Sequence, residues 1–108
     1  MSAWYNIRYS PAAKEDIKNI YSYIALNLQV PDIAKNQVDR IRKEIRSLDF
    51  MPTRYSIVDW EPWQSMKMHK LPIDNFVVYY TVNSDTITVT IIRIVYAGMD
   101  IRSIAETD

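Results

Sequence analysis

The chain has 108 residues, 48% of them hydrophobic, and its thirteen basic and thirteen acidic side chains cancel to a formal net charge of zero. That length holds a single domain, residues 1–108, with one modest core, and the hydrophobic share argues against disorder. The absence of cysteine excludes disulfides, thiolate nucleophiles and cysteine zinc sites, the single glycine excludes glycine-rich phosphate loops, and the zero charge weighs against nucleic-acid binding without forbidding a local basic patch.

Tyr5 to Tyr9 alternates apolar with polar and predicts a strand. Ser10 and Pro11 then suit a helix start, Ser as a cap for free N–H groups and Pro at the first helical position. Ile17, Ile20, Tyr21, Ile24 and Leu28 follow on one helical face. The chain turns through Asn27 to Val30, and Pro31-Asp32 opens a second helix with Ala34, Val38, Ile41, Ile45 and Leu48 as its apolar stripe. A short turn between the helices predicts an antiparallel hairpin packed by these two stripes.

After Pro52 the helical period is lost, and residues 53–64 read as an irregular loop holding Trp60 and Trp63. Met66 to Leu71 reads as a strand, Pro72 to Asn75 as a turn, Phe76 to Val82 as a strand, and Asn83 to Asp85 as a second turn. Thr86 to Tyr96 is the longest expected strand. Gly98 ends it, and Asp100 to Ala105 is expected to form a short last helix. The fold class is therefore α+β: a strand, an α-hairpin, then a three-stranded antiparallel meander with one face against the hairpin. No apolar run approaches the roughly 20 residues of a membrane span, and Met1 to Trp4 lacks the regions of a signal peptide, so a cytoplasmic location without membrane contact is expected.

An ordered series of segments resembles the RelE/ParE toxins along nearly the whole chain. It runs from Tyr9-Ser10-Pro11-Ala12-Ala13 through Ile20-Tyr21-Ser22-Tyr23-Ile24, Pro31-Asp32-Ile33-Ala34 and Met51-Pro52-Thr53-Arg54-Tyr55. It ends with Lys70 to Tyr80, Ile91 to Tyr96 and Asp100-Ile101. The resemblance implies an antiparallel sheet against an α-hairpin, a cognate antitoxin that wraps the toxin, and a role as the toxin of a type II, plasmid-stabilising pair. It also implies one of two activities. RelE-like members cut mRNA in the ribosomal A site; ParE-like members inhibit DNA gyrase and are not nucleases.

The first activity assigns roles to particular residues. His69, the only histidine, is the candidate general base. Lys67 and Lys70 could hold the scissile phosphate, Arg93 could add positive charge, Tyr96 could stack on a base, and Arg54 could reach a phosphate of the substrate. Each has a structural alternative: a sheet-surface or partner-contact histidine, solvated lysines, an Arg93 paired with Asp100 or Glu61, a core-edge tyrosine, and for Arg54 a simply exposed loop arginine. A regular strand would place Lys67 and His69 on one face and Lys70 on the other. The basic set of the cutters is incomplete, with Val77 where an arginine would follow the aromatic and Ala97-Gly98-Met99 without a basic residue.

Trp60 and Trp63 could anchor a partner or close the end of the core. Lys35, Arg42 and Arg46 read as a solvated helix face with Asp39 between them. No metal-ligand spacing and no serine elbow is present, so neither metal nor cofactor is expected, and any RNA cleavage would use the substrate's own 2′-hydroxyl. The histidine among basic strand residues favours ribosome-dependent mRNA cleavage; gyrase inhibition is the alternative.

Overall fold

The computed structural model describes residues 4–102. Strand β1 (Asn6–Tyr9) leads into helix α1 (Pro11–Ser22), which runs on as a wider π-helical turn, Tyr23–Asn27. Helix α2 is Pro31–Arg46, and strands β2 (His69–Ile73), β3 (Phe76–Asn83) and β4 (Thr88–Tyr96) follow. Ser10 caps α1 as its sequence suggests: its Oγ accepts the Ala13 N–H at 2.9 Å and donates to the Ile92 carbonyl at 2.8 Å. One hydroxyl thus starts the helix and ties it to β4.

The sheet order is β1-β4-β3-β2. β2, β3 and β4 are antiparallel neighbours, whereas β1 pairs with β4 in parallel, so the sheet is mixed rather than wholly antiparallel. Ala13, Ile17, Val38, Ile41 and Ile45 of the hairpin bury one sheet face, together with Leu71, Val78, Tyr80, Val89 and Ile91. The π-helical turn rotates the end of the first apolar stripe. Ala25 is buried there, while Tyr21 and Leu28, expected on the buried face, are exposed.

Three strand boundaries differ from expectation, each for a local reason. Lys67 adopts a left-handed backbone (φ 55°), which breaks the extended run, so β2 begins at His69 rather than Met66. Pro72 lies inside β2 rather than in the turn; β2 is an edge strand, where a missing N–H is tolerated. The Asn83 side chain accepts the N–H groups of Asp85 and Thr86, and Ile87 is left-handed (φ 51°), which delays β4 to Thr88. Of the expected last helix, Ile101 and Arg102 are described and helical; residues 103–105 lie outside the described residues.

Candidate functional site

Alternation fixes what the sheet offers on the face away from the helices. Tyr5, Ile7 and Tyr9, Tyr80 and Val82, Val89 and Ile91 all pack toward the helices. Their neighbours therefore point the other way. Across β1, β4 and β3 the register aligns Arg8, Thr90 and Thr81 in one row, and Asn6, Thr88 and Asn83 in the next. This half of the face is polar and holds one cation, Arg8, with no side chain suited to proton transfer near neutral pH.

The other half is covered. The segment from Ser56 to Met68 folds back over the sheet and forms a second apolar cluster: Val58, Trp63 and Met68 against Tyr79, Val95 and Ile101. Val58 N–H donates to the Met68 carbonyl and Lys70 N–H to the Ser56 carbonyl, so the segment is also hydrogen-bonded beside β2. Trp63 is 3% exposed and lies 4.9 Å from the Tyr79 ring. Trp60, half-buried, stacks on Trp63 at 5.1 Å and carries the Arg102 guanidinium over its outer side. Burial also pushes the Tyr79 hydroxyl above its ordinary range.

The residues singled out for RNA cleavage are distributed around this frame. His69 is 6% exposed and faces the helix side, stacked on Tyr80 at 5.1 Å with Nδ1 2.7 Å from the Tyr55 carbonyl. Lys70 is exposed on the opposite face of β2, and Lys67 lies outside the strand, in the turn before it. Tyr96 is exposed at the end of β4, edge-on to Phe76. Arg54 spends its guanidinium on the carbonyls of Phe50, Met51 and Ser47. Arg93 Nε and Nη2 grip the Asp16 carboxylate at 2.8 and 3.0 Å. A β-bulge between the pairs Tyr79–Arg93 and Tyr80–Ile91 inserts Ile92 in β4. Arg93 therefore lies off the strand parity of Val89 and Ile91.

These side chains thus lie on different faces and loops of the fold, and the structure adds Asp16, which sequence reasoning did not select. The signal for it was faint: a carboxylate one position before buried Ile17, at the border of the apolar stripe. A cleft of about 360 Å³ between α2 and β2 holds Arg40, Lys43, Tyr55 and Asp74; there Arg40 and Gln37 both bond Asp74, which ties the helix to the β2–β3 turn. Among the described residues no group of three histidine or carboxylate side chains is placed to hold a metal ion. No described helix is long and apolar enough to cross a membrane.

Solved structures share this architecture. A chain of the chromosomal ParDE toxin–antitoxin system of P. aeruginosa aligns with TM-score 0.67 at 20% identity, covering 86% of this chain and 96% of that one. A chain of a RelBE toxin–antitoxin complex from Mycobacterium tuberculosis aligns with TM-score 0.62 at 16% identity, covering 87% and 92%. The isolated E. coli RelE toxin aligns with TM-score 0.54 at 14% identity, covering 95% and 96%. No curated protein sequence matches. At these identities the likeness is one of fold. The sequence profile of the ParE toxin of type II toxin–antitoxin systems matches residues 7–101, and the chain belongs to that family.

Proposed function

We propose that this toxin arrests growth by binding DNA gyrase through protein–protein contact, and that a cognate antitoxin restrains it. The observation that carries the reading is the covered sheet face. RelE-like cutters keep that face open and basic; here Trp63, Met68 and Val58 fill half of it, and the rest is a polar array with Arg8, with Lys70 exposed at the β2 edge. His69 turns into the helix-side core, and Arg93 is committed to Asp16. Cleavage through a 2′-hydroxyl needs a base and a charge stabiliser converging on one phosphate. The dispersal of His69, Lys67, Lys70, Arg93 and Tyr96 argues against that convergence. An antitoxin partner is supported by the relatives solved as ParDE and RelBE systems.

Induction of the chain in cells separates the two activities. Gyrase inhibition should raise the DNA-damage response and stop division while mRNA stays whole. Prompt fragmentation of translated mRNA without a damage response would reverse the assignment in favour of ribosome-dependent cleavage.

A further inference from the structure

A second cavity, of about 240 Å³, opens where the first turns of α1 meet the last turns of α2 beside the end of β1. Tyr9, Lys14, Ile17 and Arg42 line it. Arg46 lies one turn beyond Arg42 on the same helix face. Arg40 lies on one flank of α2; Lys35, Asp39, Arg42 and Arg46 lie on the other. Lys35 pairs with Asp39 at 3.0 Å and Arg40 with Asp74 at 2.6 Å. Lys14, Arg42 and Arg46 make no ion pair with a carboxylate among the described residues. Lys14 also sits in the first turn of α1, which holds no acidic residue, so it adds to the positive end of that helix dipole instead of offsetting it. Burial raises the Tyr9 hydroxyl above its ordinary range, and the nearby positive charges of Arg42 and Arg46 oppose that rise.

We propose that this groove is the seat of a carboxylate carried by an amphipathic acidic segment of the antitoxin. The proposal rests on the antitoxin reading above and adds where, and by what chemistry, that partner is gripped. Cations crowd a cavity whose floor is apolar: Ile17 is buried and Tyr9 packs against the helix-side core. An Asp or Glu side chain from an amphipathic helix or strand would meet both, its carboxylate taking Lys14, Arg42 and the Tyr9 hydroxyl, and its apolar neighbours covering Ile17. A nucleic-acid strand fits less well. It needs a run of cations along its phosphates, and of the α2 cations Lys35 and Arg40 are already paired with Asp39 and Asp74.

The test is calorimetric titration of the full toxin with its co-encoded antitoxin, at low ionic strength and at about 1 M salt, where charge screening acts within about 3 Å. The double variant Lys14→Ala/Arg42→Ala should bind roughly tenfold or more weakly at low salt, and the deficit should shrink at high salt. Tyr9→Phe keeps the packing and should weaken binding by a smaller factor. Thermal melting of each free variant checks the fold. Wild-type affinity in the folded double variant would overturn the proposal while leaving the antitoxin reading in place. Failure of the wild-type pair to associate would overturn both. Retention of a labelled single-stranded RNA by the free toxin, lost in Arg42→Glu, would give the groove to a phosphate backbone and also overturn it.

Discussion

Asp16 of α1 closes the edge of β4 where β1 ends: its Oδ2 accepts both the Arg93 Nε–H at 2.8 Å and the Ile94 backbone N–H at 2.9 Å. The parallel partner strand runs only from Asn6 to Tyr9, paired with Thr88 to Ile91. Beyond Ile91 the central strand would otherwise show an unsatisfied edge next to the core. The Asp16 and Arg93 side chains are 11% and 19% exposed, so the pair is shielded from water.

Removing one member leaves the other charge poorly hydrated and frees the Ile94 N–H. Asp16→Ala and Arg93→Ala should each cost about 3 kcal/mol of stability in urea unfolding. The double variant should cost less than the sum of the two. Additive losses would mean that the pair is not coupled.

Trp63 is a core residue of the second cluster, and Trp63→Ala should destabilise the chain by about 3–5 kcal/mol. Trp60→Ala removes a partly exposed ring and should cost clearly less. If the two truncations cost the same, the segment from Ser56 to Met68 does not hold its place over the sheet in solution.

Alkaline pH should weaken the fold through its buried tyrosines. Tyr80 donates to the Pro52 carbonyl at 2.6 Å, and burial raises its hydroxyl well above the ordinary tyrosine range. Tyr79 and Tyr9 are also raised, chiefly by burial. The neutral form is favoured in the folded state, so this stability is fully present below the unfolded value near 10. It is lost as pH rises above that value, because the unfolded chain ionises first. Urea melts should show stability falling from about pH 10 upward, with a shallower fall in Tyr80→Phe, which itself starts lower by about 1 kcal/mol for the lost hydrogen bond. A flat profile to pH 11.5, on the order of one unit past the free tyrosine value, would contradict the assignment.

Strain at one turn gives a stabilising change. Ile87 is β-branched yet left-handed, a conformation that costs such a residue about 1–2 kcal/mol. Ile87→Gly should raise the melting temperature by about 4–8 °C, for a gain near 1 kcal/mol in a domain of this size. A lower melting temperature would show that the half-exposed side chain contributes more than its backbone costs.

The helical hairpin was legible in the sequence because each stripe repeats over several turns, and Ser10, Pro11 and Pro31 mark the starts. β3 was legible from its β-branched and aromatic run. What periodicity could not carry were single-residue insertions. Ile92 shifts the register of β4 and takes Arg93 off the parity of Val89 and Ile91, and the π-helical turn moves Leu28 outward. The covering segment has no period at all; its place follows from long-range contacts of Trp63 and Met68 with Tyr79 and Val95, which no local pattern encodes. His69 illustrates the consequence. With β2 starting at His69, burial alternates along the strand and the ring falls on the inner side, against Tyr80.

The proposed target is gyrase and not RNA. The most direct measurement uses purified toxin in two parallel reactions, plasmid supercoiling by gyrase and mRNA on programmed ribosomes. Gyrase inhibition should give dose-dependent loss of supercoiling with accumulation of gyrase–DNA cleavage complexes, and intact ribosome-bound mRNA. Cleavage of that mRNA by wild-type protein, lost in a folded His69→Gln variant, together with unaffected gyrase, would contradict it.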